Sequence, residues 1–133
     1  MPNSSDMLPV TNSDDIVRVR QEVRRQAVAV GLSLVDQTKI VTAASELARN
    51  LLDHAGGGSV AVAVIQEPGR QGIRLCFEDR GPGIKDVERA LTDGYTTGKG
   101  LGLGLGGARR LSNEFLIDTK VGEGTRITIA RWK

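Results

Sequence analysis

The stretch Ser59–Asp79 reads SVAVAVIQEPGRQGIRLCFED. Apolar residues fall at Val60, Val62 and Val64 before its midpoint and at Ile73, Leu75 and Phe77 after it. A period of two puts each triplet on one face of an extended strand. Between them EPGR, Glu67 to Arg70, carries Pro and Gly where a tight reversal needs them. The pattern predicts two strands, 59–66 and 72–79, paired as a hairpin with one face on a core and the other toward solvent.

Upstream the period changes. NSDD, Asn12 to Asp15, supplies side-chain oxygens that can cap a helix and acids suited to the positive end of its dipole. A helix is expected from Ile16 to about Val30, ending at Gly31. A second runs from Leu34 to His54, with Ile40, Ala44, Leu47, Ala48 and Leu51 on one stripe, until Gly56-Gly57-Gly58 stops it. Downstream, DVERAL (Asp86–Leu91) suggests a short helix, and another is expected from about Leu105 to Asn113. EFLIDTK (Glu114–Lys120) and TRITIARW (Thr125–Trp132) read as two more strands joined by VGEG. Residues 1–13 are left as a lead segment. If both hairpins join one sheet, the order predicts an α+β two-layer sandwich. Its mixed, mostly antiparallel sheet is covered by helices on one face, in a single domain over residues 1–133.

Composition narrows the function classes. The 133 residues are 39% hydrophobic and 26% charged with a net charge of +2, as in an ordinary globular chain. Aromatics are only 3%, so the core must come from Val, Leu, Ile and Ala. Without a Lys/Arg stripe or stacking aromatics, nucleic acid is not expected as a partner. The longest apolar run, Val60 to Ile65, is too short to span a bilayer, and MPNSSDMLPV lacks the pattern of a signal peptide. The single cysteine, Cys76, cannot pair within the chain, which fits a reducing, cytoplasmic setting.

Thr96 to Gly107, TTGKGLGLGLGG, holds six glycines in twelve positions. The phosphate-loop pattern fails twice here: three residues separate Gly94 from Gly98, and Lys99 is followed by Gly100 instead of Ser or Thr. A GxGxxG match at Gly102–Gly107 follows DGYTTGKGL, where the dinucleotide fingerprint needs a strand. A plain linker does not explain the leucines at 101, 103 and 105. A lid that packs on something remains.

Three further places carry polar groups in chemically useful patterns. In SELARNLLDH, Glu46 and Asn50 stand one helical turn apart, offset from the apolar stripe; this suits a solvated polar pair as well as a ligand box. EDRGPG (Glu78–Gly83) puts a carboxylate at a strand end beside Gly-x-Gly, a simple turn or a place where backbone approaches a ligand. GEGT (Gly122–Thr125) alone is a hairpin turn.

In chain order, ExxxN on a helix, DxGxG after a strand, a glycine-rich lid and GxGT in the last hairpin resemble the motif set of the GHKL ATP-binding family. That family joins gyrase, the Hsp90 chaperone, histidine kinases and MutL. The resemblance covers roughly Asp14 to Lys133. ASELARN, EDRGPGI, GLGLGLGGARRLSNEF and GEGT are similar to a narrower branch, the RsbT-type serine/threonine switch-protein kinases of bacterial stress signalling.

The resemblance implies ATP and Mg2+ as cofactors. Asp79 would accept from the adenine amino group, Gly81 and Gly83 would let the chain pass close to base and ribose, and Thr125 would support the adenine end. Asn50 would give its amide oxygen to magnesium, and Glu46 would be the general base. In the lid, Gly100, Gly102 and Gly104 would present N–H groups to phosphates, with Lys99 adding charge and Leu101 and Leu103 anchoring the segment. The implied partners are STAS-domain substrates like the stressosome scaffolds RsbS and RsbR, and a PP2C-type phosphatase activated on release. Two neighbouring readings stay open: an anti-sigma-factor kinase that sequesters a sigma subunit, and a detached histidine-kinase catalytic domain.

Overall fold

The structure is a computed structural model that describes residues 5–91 and 104–133. Nine elements follow in order. They are β1 (Ser5–Val10), α1 (Ser13–Ala29), α2 (Leu34–Ala55), β2 (Gly58–Glu67), β3 (Arg70–Asp79), α3 (Val87–Ala90), α4 (Gly104–Arg110), β4 (Glu114–Lys120) and β5 (Gly124–Trp132).

The two expected hairpins do share one sheet, because β3 pairs with β5. The strand order is β1-β2-β3-β5-β4, and every pair among these strands is antiparallel, so no parallel pairing is present among the described residues. Rungs of apolar side chains cross five and then four strands on the inner face of the sheet. Leu8, Val60, Phe77, Ile127 and Ile117 form one, and Val62, Leu75, Ile129 and Phe115 form the next. Val60, Val62, Leu75, Phe77 and Ile129 are almost fully buried beneath the helices. Each such side chain contributes about 1.5–3 kcal/mol through the water it excludes, so this face holds the sandwich together.

β1 lies within the expected lead segment and is an addition to it. Its stretch SDMLPV shows no apolar alternation, and Pro9 argues against a central strand. At the sheet edge, opposite Ser59, that proline costs no ladder bond on the side facing away from β2. Val10, completely buried, ties the strand to the core.

Both long helices begin as their capping residues dictate. Asn12 Oδ1 accepts from the Asp15 N–H at 3.1 Å, and Ser33 Oγ accepts from the Asp36 N–H at 3.1 Å. Asp15 in turn accepts from the Thr11 N–H and hydroxyl, at 2.8 and 2.9 Å. These bonds, the backbone one first, hold its carboxyl below the usual carboxylate range. Asp36 is also held low, chiefly by the hydrogen bond that Arg131 Nη2 donates at 2.7 Å, which fastens the start of α2 to the end of β5. α4 packs against α2, and its residues Gly106, Gly107 and Ala108 are buried, so the small side chains allow close approach. Among the described residues no helix is long and apolar enough to cross a membrane.

Candidate nucleotide site

The sheet and the helices leave a cavity of about 460 Å³ between them, within the range of small-molecule sites. β3 and β5 contribute two facing pairs: Phe77 opposite Ile127, and Asp79 opposite Thr125. α2 contributes Leu47, Asn50, Leu51 and His54, the i, i+3, i+4, i+7 face of one helix. The chain from Pro82 to Ala90 contributes Gly83, Ile84, Lys85, Asp86 and Arg89, and α4 contributes Gly104 and Leu105.

The segment after β3 is fastened by backbone groups. Asp79 Oδ1 accepts from the Gly81 N–H at 2.8 Å, which turns the chain and leaves Oδ2 available for a donor. The Gly122 N–H donates to the Pro82 carbonyl at 2.8 Å, and the Ile84 N–H donates to Thr119 Oγ1 at 2.9 Å. Thr119 and Thr125 share a hydroxyl hydrogen bond of 2.8 Å, so the DxGxG segment, β4 and the GxGT turn form one network. Two glycines are required by this closeness. Gly83 has φ +77, and a Cβ there would stand 2.4 Å from the Lys120 carbonyl oxygen. At Gly124 a Cβ would stand 2.2 Å from the carbonyl oxygen of Asp79. The GxGT glycine thus makes room for the strand end that carries the carboxylate, a dependence between two distant motifs.

Of the expected site residues, Asn50, Asp79, Gly83, Gly104 and Thr125 come together on the cavity wall. Gly81 is not on that wall; a Cβ there would meet the Ala55 Cβ at 2.6 Å, so its small size serves packing against the end of α2. Glu46 also does not line the cavity. It lies one turn before Asn50 and is only 5% exposed, which rules out a solvated helix face for this residue. Lys99, Gly100, Leu101, Gly102 and Leu103 fall outside the described residues.

Sequence reasoning left several wall residues unassigned. Helical spacing from Asn50 would have found Leu47 and Leu51, and strand period from Asp79 would have found Phe77. Nothing in the sequence pointed to Lys85, Asp86 or Arg89, because their place depends on how the chain turns after Gly83.

Residues 35–133 match the family described as histidine kinase-, DNA gyrase B- and HSP90-like ATPase. The chain is 40% identical over 130 residues to the serine/threonine-protein kinase RsbT of Bacillus subtilis (strain 168), covering 98% of each sequence. It is 30% identical over 101 residues to the anti-sigma F factor of Geobacillus stearothermophilus, covering 71% of this chain and 68% of the relative. Among solved structures, it resembles the RsbU and RsbW domains of a Mycobacterium tuberculosis protein. The TM-score is 0.66 at 23% identity, over 98% of this chain and about a third (32%) of that one. The mycobacterial sensor histidine kinase MprB gives a TM-score of 0.54 at 21% identity, over 96% of this chain and 97% of that one. These two likenesses concern the fold. The motifs, the cavity they share and the near full-length similarity agree: the chain belongs to the histidine kinase-, DNA gyrase B- and HSP90-like ATPase family, in its RsbT-type serine/threonine-protein kinase branch.

Proposed function

We propose that this chain transfers the γ-phosphate of ATP to a serine or threonine of a small STAS-domain partner in the cytoplasm, as one catalytic domain. Released from that partner, it activates a PP2C-type phosphatase. The observation that carries the reading is the convergence of Asp79, Thr125 and Asn50 on one cavity, with buried Glu46 one turn away from Asn50.

In this reading the open oxygen of Asp79 accepts from the adenine amino group while Phe77 and Ile127 flank the base with apolar surface. Thr125, held by Thr119, supports the same end. Gly83 and Gly104 let the backbone run close to the nucleotide; the expected phosphate contacts of Lys99, Gly100, Leu101, Gly102 and Leu103 lie outside the described residues. The donor set also bears on magnesium. Among the described residues no group of three carboxylates, histidines or cysteines is arranged to cage a metal. A single amide oxygen at Asn50 fits an ion held mainly by phosphate oxygens and water, whose charge would stabilise the transferring phosphoryl group. Glu46 orients the acceptor hydroxyl and takes its proton late in a loose transition state.

Label from γ-labelled ATP appearing on Ser or Thr of a STAS partner is the expected result. Absence of transfer from wild-type protein that binds ATP removes the proposal. Asp79→Asn should lose ATP binding with the fold intact. Glu46→Gln should keep binding and lose transfer, and near-normal transfer would remove Glu46 as the base. Asn50→Ala should lose the magnesium-dependent part of binding. The similarity to an anti-sigma F factor favours a second reading, a kinase that also holds a sigma subunit. Retention of a sigma factor in a pull-down would replace the partner assignment.

A further inference from the structure

Two cations on the cavity wall, Lys85 and Arg89, have no place in the motif set. Lys85 precedes the short helix α3 and Arg89 lies within it, and both are exposed. Between them Asp86 Oδ1 accepts from the Arg89 N–H at 3.0 Å and caps α3. That bond fixes the turn which brings both residues to the cavity.

The titratable groups on this wall are Asp79, Asp86, His54, Lys85 and Arg89. Asp79 has one oxygen on the Gly81 N–H, and Asp86 is engaged in its cap. A triphosphate entering this space brings negative charge beside the two acids, and Lys85 and Arg89 are the lysine and arginine of the described wall that can meet it. Their position along the chain also separates them from the base end. From Asp79 the chain passes Gly83 and Ile84 along the cavity before reaching Lys85 and then Arg89. α3 then contacts α4, and α4 packs against α2, the helix that carries Asn50. The cations thus share one cavity wall with Asn50 and with the apolar pair of Phe77 and Ile127, and enter it from the chain beyond Ile84.

We propose that Lys85 and Arg89 form a clamp for the nucleotide's phosphates, built on α3 and independent of the glycine-rich segment. Lys supplies a mobile point charge and Arg a planar fork of donors, which together suit oxygens of two adjacent phosphoryl groups. This inference rests on the cavity being the ATP site.

The test is calorimetric titration of the full chain with ATP, ADP, AMP and adenosine, each at low and high salt. The variants are Lys85→Gln, Arg89→Gln, the double variant, and Lys85→Arg as the conservative control. Each Gln variant should weaken ATP binding about tenfold, as expected for a lost charged hydrogen bond. The loss should shrink from ATP to ADP to AMP and vanish for adenosine. Salt should weaken ATP binding less steeply in the double variant than in the wild type, and Lys85→Arg should restore most of the affinity. Unchanged ATP affinity in the double variant overturns the clamp, and so does an equal loss for ATP and adenosine. Normal ATP affinity with a raised KM for the protein substrate would assign the two cations to partner docking and overturn it as well. Wild-type protein that binds neither ATP nor adenosine would instead remove the reading of the cavity itself, and the clamp with it.

Discussion

The two ends of the sheet are built by different means. At the hairpin end, where β2 turns into β3, charged and aromatic side chains make the connections. Arg70 bonds Glu67 at 2.9 Å and lies 3.7 Å over the Trp132 ring, Trp132 donates to Glu114, and Arg131 bonds Asp36. Gly69 in that turn has nothing within 4 Å of a built Cβ. At the cavity end the loop after β3 is held by backbone groups, the Thr119 and Thr125 hydroxyls and Asp79 Oδ1. The Arg126–Glu78 and Lys120–Glu123 pairs lie outside on the surface, and Gly83 and Gly124 are pressed against neighbouring carbonyls. Both ends contain a Pro-Gly pair after or before an apolar strand: EPGR at one, RGPG at the other. The difference shows how a site is kept available. Where backbone groups and hydroxyls hold most of the loop, Oδ2 of Asp79 and the side chain of Asn50 are left facing the cavity; where charged side chains hold the turn, their charges are consumed among themselves.

The comparison is broken most directly at Gly83. Gly83→Ala forces a left-handed residue into a space closed by the Lys120 carbonyl, and should cost about 3 kcal/mol or more in urea unfolding. An unchanged midpoint would mean that the cavity end is as loose as the hairpin turn. Next comes Asp36→Asn at the hairpin end, expected to cost about 1–2 kcal/mol because it weakens a charge-assisted bond in a part-buried pair. Buried Arg131 Nε, already without an acceptor, gains none from the change. The same pair sets an acid response. The folded pKa values of Asp36 and Asp15 are depressed, so their contribution is complete above the unfolded value near 4. It is lost as pH falls through the lower folded values. Asp36→Asn should flatten part of that loss in unfolding measured between pH 5 and 2. The smallest effect is expected for Gly69→Ala, about 1 kcal/mol, since φ +83 disfavours a side chain but the space is open. If it matches Gly83→Ala, crowding is not what distinguishes the two ends.

Much of this arrangement was legible because periodicity reports burial. The runs in Val60–Val64 and Ile73–Phe77 and the stripe from Ile40 to Leu51 each name the face that packs inward, and the hairpins and long helices follow from them. β1 was not legible: an edge strand with one fully buried residue, Val10, has too little to bury to leave a pattern. At the site, Asn50, Asp79 and Thr125 were found through spacing and resemblance, because each sits at a fixed offset within a helix or strand. Lys85 and Arg89 were not, since their positions depend on the Gly83 turn and the Asp86 cap. The different reasons for Gly81 and Gly83 were also hidden, since one glycine looks like another until a neighbouring atom is in place.

Every residue that lines the cavity lies between Leu47 and Ile127, whereas β1 and α1 lie wholly before residue 35, where the family match begins. The similarity to RsbT nevertheless runs over 98% of the chain, so β1 and α1 go with the cavity block in that comparison. On α1, Val17 and Val28 are exposed and away from the cavity wall, so changes there leave the wall untouched.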